Sequence, residues 1–198
     1  MRTRFSADSA TRVVRAGGLR VTDPVRAWCE LASSLSVDEC TIMADALMRR
    51  KHPIADPEQL ATAVAEWRGR RGHRVLLQAL DLARPGTDSV RETELRLAIV
   101  RAGLPEPEVN PRILDALGRL LGHGDLTYPR YKVLVEYDGE QHRTDDAQYV
   151  IDVERLEAFA RDGWICVRIL KHHAVDDFAP AIRKVQRALE DRGWPGVA

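Results

Sequence analysis

The segment Trp164-Ile165-Cys166-Val167-Arg168-Ile169-Leu170 is apolar at every position but Arg168. So short and continuous a run suits a strand covered on both faces rather than one with a wet side. Such a strand needs neighbours beside, above and below it, and the surrounding sequence offers them. Tyr131-Lys132-Val133-Leu134-Val135-Glu136-Tyr137-Asp138 reads as another strand, apolar in its middle and acidic at its end. A helical pattern from Ala147 to Arg161 links the two, and a second runs from about Asp176 to Arg192. Upstream, Ser89 to Ala102 is helical, with Leu95, Ile99 and Val100 inward and Gly103 as its C-cap. Glu108 to Leu114 alternates as a strand, Asp115-Ala116-Leu117-Gly118 turns the chain, and Arg119 to Tyr128 returns it. The order α-β-β-β-α-β-α predicts an α/β (α+β) domain, a mixed sheet flanked by helices.

Arg84-Pro85-Gly86 is the strongest boundary signal in the chain and divides it into residues 1–84 and 85–198. The first part reads as a mostly helical domain. Thr22-Asp23-Pro24 is a cap followed by proline in the first turn, with Val25, Trp28, Cys29 and Leu31 at helical spacing. Ser36-Val37-Asp38-Glu39 is a capping box opening a helix to about Arg49, and Asp56-Pro57-Glu58-Gln59 opens a third, striped by Leu60, Val64 and Trp67. A glycine-broken basic loop from Trp67 to Arg74 precedes a helix over Val75 to Ala83.

The formal net charge of zero gives the whole chain no general attraction to nucleic acid. Its halves differ: residues 1–84 carry 14 basic and 10 acidic side chains, residues 85–198 carry 16 and 20. The acidic second part would be repelled by phosphate unless cations neutralised it. No apolar run approaches the roughly 20 residues needed to cross a bilayer, so no membrane role is expected. The N-terminus has no apolar core after its arginines and does not read as a secretory signal. Cys29, Cys40 and Cys166 are scattered without CxxC spacing, which points to buried thiols and a cytoplasmic location.

The chemistry concentrates around Gly124-Asp125-Leu126-Thr127-Tyr128-Pro129 and Glu136-Tyr137-Asp138-Gly139. Asp125 falls near the end of one strand and Glu136 on the next, so a short link can bring the carboxylates side by side. Glu136 and Asp138 are two apart and project from one face. Carboxylates crowded at a strand end raise one another's proton affinity. Mg²⁺ or Mn²⁺ relieves that repulsion, being a hard cation that prefers oxygen ligands. Solvated strand-end acids are the competing structural reading.

The run Glu92, Asp125, Val135-Glu136-Tyr137-Asp138-Gly139, His142, Asp152, Arg155, Gly163-Trp164 and Arg168 resembles the small PD-(D/E)XK domains related to the very-short-patch repair endonucleases, over about residues 88–192. The resemblance implies a restriction-endonuclease-like fold and metal-dependent cleavage of DNA. It implies Glu92, Asp125 and Glu136 as metal ligands, and His142 as a general base or phosphate contact. Asp138 stands where the motif has a lysine, so a group that stabilises the attacking water and the developing charge is replaced by one that can only ligate or accept a proton. Lys132 and Lys171 carry positive charge nearby but not at the motif position. More briefly, Gly18 to Ala32 resembles the segment that follows the winged helix in abortive-infection antitoxins of type IV toxin–antitoxin systems, which implies a toxin or another protein as partner.

Several accessory residues have two readings. Glu92 follows Ser89 by three and could complete a capping box instead of binding metal, with Glu94 as fallback ligand. His142 could be a surface loop residue. Gln148, Asp152 and Arg155 share a helical face that either orients the site and contacts nucleic acid or is a solvated ion-paired stripe. Arg68, Arg70, Arg71 and Arg74, with Arg49-Arg50-Lys51, suit phosphate contact, yet cations also gather at helix C-termini for dipole reasons. His172-His173 reads as a polar strand exit rather than a metal pair. The expectation is therefore a Mg²⁺- or Mn²⁺-dependent phosphodiesterase acting on DNA. The alternatives are a catalytically silent, antitoxin-like binding module and an interaction protein with no nucleic-acid role.

Overall fold

The computed structural model describes residues 13–16, 19–138 and 146–196, with the side chains of 13–16 and 146–152 excepted. The chain divides into two compact units, Met1–Pro85 and Gly86–Ala198.

In the first unit a hairpin, β1 (Val13–Ala16) and β2 (Leu19–Thr22), precedes α1 (Pro24–Leu31), α2 (Val37–Leu47), α3 (Pro57–Glu66) and α4 (His73–Leu82). The unit is mostly helical as expected, and the hairpin is an element the sequence reading does not anticipate. The caps form as the sequence requires. The Asp23 carboxylate accepts the Arg26 N–H at 3.0 Å, and full capping boxes close at Ser36/Glu39 and Asp56/Gln59. These satisfy amide donors that a helix start would otherwise leave bare. Trp28, Cys40, Ala44, Leu60, Val64, Leu76 and Ala79 form the core, with the Trp28 indole donating to the Cys40 carbonyl at 2.9 Å. α4 opens at Gly72 (φ +87), where a Cβ would lie 2.7 Å from the Ser33 nitrogen; only glycine fits that approach. At the end of the unit, buried Asp45 accepts the Arg84 N–H at 2.7 Å.

The second unit is an α+β fold. It begins with α5 (Val90–Arg101) and continues through β3 (Glu108–Val109), β4 (Arg112–Leu114), β5 (Leu120–His123), β6 (Leu126–Tyr128), β7 (Val133–Asp138), α6 (Asp146–Arg161), β8 (Ile165–Leu170) and α7 (Ala179–Glu190). One sheet runs β3-β6-β7-β8, antiparallel except for the β7–β8 pair, and β4–β5 form a separate hairpin. The mixed sheet is covered on both sides. Val133 and Val135 of β7 pack with Leu95 and Ile99 of α5 and Val185 and Leu189 of α7. Leu134 between them packs the other way, with Phe159 of α6 and Ile113. This period-two alternation between two covered faces is the reason Val133, Leu134 and Val135 are all apolar.

Two expected long strands are each broken in two. Asn110 takes a left-handed backbone (φ 46) between β3 and β4, which asparagine tolerates better than most residues. Across from it, Gly124 leaves no room for a side chain, since a Cβ would sit 2.1 Å from Leu134 Cδ1. The Asn110 N–H still donates to the Asp125 carbonyl at 2.9 Å and holds the two broken arms together. The last helix starts at Ala179, not near 176, because Asp176, Asp177 and Phe178 all adopt positive φ.

Candidate functional site

β6 and β7 pair with Leu126 opposite Val135, and continuing that register by one residue sets Asp125 opposite Glu136. Opposed residues of an antiparallel pair point to one side of the sheet, about 5 Å apart at Cα. Glu136 shares the face of Leu134, the α6 side, and lies where β7 emerges from its buried first half. The Asp125 carboxylate accepts the Tyr137 N–H at 2.9 Å. Burial, the charge of Glu92 and the charge of Glu136, in that order, push the Asp125 carboxyl up to about 7. The Tyr137 N–H and Arg155 pull the other way without cancelling them.

Glu92 enters from the first turn of α5 and is 6% exposed. Only half of the Ser89 capping box forms: the Ser89 hydroxyl accepts the Glu92 N–H at 3.2 Å. The Glu92 carboxylate turns instead to the Asp88 N–H and the Asn110 side-chain amide, both at 2.9 Å, and to the Thr87 hydroxyl at 3.4 Å. Its charge is still felt at Asp125. Glu94 pairs with Arg91 on the surface of α5.

Glu136 is engaged by Arg155 of α6, whose Nη2 donates to Oε2 at 3.0 Å while Nη1 donates to the His123 carbonyl at 3.2 Å. Asp138 is paired with Arg168 of β8. His142 and Gly139 lie outside the described residues, and so do the side chains of Gln148 and Asp152 on α6. Lys132, in the turn just before β7, is tied to Asp162 through a carbonyl at 2.7 Å and a carboxylate at 3.0 Å. Four residues along a strand, about 13 Å, separate it from Glu136. Lys171 sits on an exposed turn after β8. Arg68, Arg70, Arg71 and Arg74 are all exposed in the first unit, with Arg70 stacked 4.9 Å from the Trp67 ring. The His173 ring accepts the Leu170 N–H at 2.9 Å, so it closes the strand exit locally.

Among the described residues no three His, Cys, Asp or Glu side chains are gathered as a metal cluster. Glu92 and Glu136 are turned towards protein donors. In kind, however, the donors suit a hard divalent cation: they are carboxylate oxygens, partly dehydrated, and they repel one another at Asp125. Asp125 and Glu136 are the pair that would hold it, with Glu92 behind them.

Three site features escape a reading of the sequence alone. Asn110 joins Glu92 to the Asp125 strand, Arg155 is a partner of Glu136, and His123 bonds the Asn110 carbonyl through Nδ1 at 3.2 Å. Because a carbonyl only accepts, Nδ1 is the donor in that contact. The signals available are an asparagine interrupting a strand pattern and an arginine in the third turn of α6. Cys29 and Cys40 are buried and Cys166 is half-buried. Burial pushes the thiols of Cys29 and Cys166 up to about 11, far from a reactive thiolate.

No protein-family model matches the chain, and no solved structure matches it. It is similar to two Mycobacterium tuberculosis proteins, "Uncharacterized protein MT2308" of strain CDC 1551 / Oshkosh and "Uncharacterized protein Rv2248" of strain ATCC 25618 / H37Rv. Each is 29% identical over 166 residues, covering 84% of this chain. The chain spans only 59% of the length of these relatives. Among the described residues no helix is long and apolar enough to cross a membrane.

Proposed function

We propose that the second unit is a PD-(D/E)XK-type, Mg²⁺- or Mn²⁺-dependent phosphodiesterase that acts on DNA. The observation that carries this reading is the β6–β7 register, which sets Asp125 opposite Glu136 on the α6 side of the sheet, with the Asp125 carboxyl pushed up to about 7 by burial and by the charges of Glu92 and Glu136. The mixed four-stranded sheet β3-β6-β7-β8, covered by helices on both faces, supports it, since the resemblance implies a mixed sheet flanked by helices. A bound cation supplies Lewis-acid polarisation of the phosphodiester and lowers the proton affinity of the attacking water. Asp125 and Glu136 hold the cation, assisted by Glu92 or Asp138. His142 takes the general-base or phosphate-contacting role that the resemblance implies. The exposed arginines Arg68, Arg70, Arg71 and Arg74 of the first unit contact phosphate, and Gln148 adds a contact from α6. The resemblance of residues 18–32 to antitoxins adds a toxin or other protein as partner of the first unit.

A second reading has its own support. Asp138, in the lysine's place, is bound by Arg168, and Glu136 is bound by Arg155, as suits a nuclease-like fold retained for binding alone. Incubation of plasmid and single-stranded DNA with Mg²⁺ or Mn²⁺ separates the two readings. Cleavage by the wild type that Glu136→Gln abolishes supports the enzyme. No cleavage with either metal, together with DNA or protein binding that Asp125→Ala leaves intact, supports the binding module.

A further inference from the structure

The missing motif lysine leaves a chemical gap. A site that crowds carboxylates around a phosphate still needs a fixed positive charge to meet the charge that develops there. The lysines weighed from the sequence do not fill it, since Lys132 is bound to Asp162 and Lys171 is on an exposed turn. Arg168 is spent on Asp138 at the outer end of β7.

Arg155 stands at the carboxylates. Its guanidinium bridges Glu136 Oε2 at 3.0 Å and the His123 carbonyl at 3.2 Å, so two strands fix the orientation of its fork. It is close enough to Asp125 to act on that carboxyl as well. The side chain is 31% exposed, while its Nε is buried. The fold makes room for it: a Cβ at Gly122 would lie 3.1 Å from Arg155 Cδ and 3.3 Å from Cγ. With a side chain at residue 122, β5 would press on the arginine's stem. A surface ion-paired stripe would need neither the strand carbonyl nor the glycine.

We propose that Arg155, projecting from α6, supplies the positive charge that similar domains take from a strand lysine. It orients the Glu136 carboxylate and stabilises the charge on the scissile phosphate. The inference rests on the phosphodiesterase reading above. A guanidinium is a suitable replacement, because it never loses its proton and its planar fork matches phosphate oxygens two at a time.

The test compares wild type, Arg155→Lys and Arg155→Met in DNA cleavage, in Mn²⁺ affinity by calorimetry without DNA, and in thermal unfolding. The expected result is a fall in kcat of about 100-fold or more for R155M, with partial recovery in R155K. Mn²⁺ affinity should be equal or tighter in R155M, because a cation competing for Glu136 has been removed. A structural role would instead lower cleavage, Mn²⁺ affinity and melting temperature together, and that pattern overturns the proposal. So does R155M cleavage within about twofold of the wild type, which leaves the phosphodiesterase reading standing. Absence of wild-type cleavage overturns both.

Discussion

Replacing Asp125 by asparagine isolates the strain that the site imposes on the fold. The substituted amide keeps an oxygen for the Tyr137 N–H and removes only the charge. In the wild type the carboxyl is raised from 3.8 to about 7 by burial and by Glu92 and Glu136. A carboxyl that holds its proton more tightly when folded makes the folded state costlier to ionise. The penalty is absent below about pH 4, grows between pH 4 and 7, and is complete above 7. The full gap corresponds to on the order of 4 kcal/mol, and solvent reaching a half-buried side chain trims it to about 2 kcal/mol. Asp125→Asn should therefore stabilise the second unit by about that amount at pH 8 and by almost nothing at pH 4. Hydrogen exchange of the Val133–Asp138 amides, corrected for intrinsic rates, reads this unit alone. A variant less stable than wild type at pH 8, or one whose stability difference does not change with pH, would refute the reasoning.

Two further outcomes test the packing around the site and in the first unit. Gly124→Ala should lower the stability of the second unit by at least about 1–3 kcal/mol, since its Cβ would meet Leu134 Cδ1 at 2.1 Å and Thr127 Cγ2 at 2.9 Å; urea unfolding reads the loss. Native Cys29, with its thiol pushed up to about 11, should react with iodoacetamide at pH 7.5 far more slowly than free cysteine. Labelling at the free-thiol rate would contradict the buried assignment.

The fold class is readable because its cause lies in side-chain periodicity. The continuous apolar runs of β7 and β8 are the direct imprint of helices on both faces, and the caps Asp23, Ser36 and Asp56 announce helix starts through local chemistry alone. The β1–β2 hairpin is harder to read, although Val13-Val14 and Val21-Thr22 flank a Gly17-Gly18 turn signal. The arginines alternating with those residues weaken the apolar pattern. The strand breaks at Asn110 and Gly124 are invisible for a different reason: they depend on what lies across the hairpin, namely Leu134 and the Asp125 carbonyl. At the site, the pairing of Asp125 with Glu136 can be read from two strands joined by a short link. The destination of the Glu92 carboxylate cannot, because its choice between Ser89 and the Asn110 amide is settled by tertiary contacts. The face of Arg155 reads either as one that orients the site and contacts nucleic acid or as a solvated stripe, because helical spacing shows a face, not what that face meets.

Mn²⁺ titration of the whole chain at pH 8, followed by electron paramagnetic resonance, tests the central claim most directly. The claim is that Asp125 and Glu136 form a divalent-cation site. The account predicts saturable binding of one strongly held ion to the wild type, weakened at least about tenfold, the equivalent of 1.4 kcal/mol, by Asp125→Asn and by Glu136→Gln. Equal Mn²⁺ binding by wild type and both variants, or no binding by any of them, would contradict it.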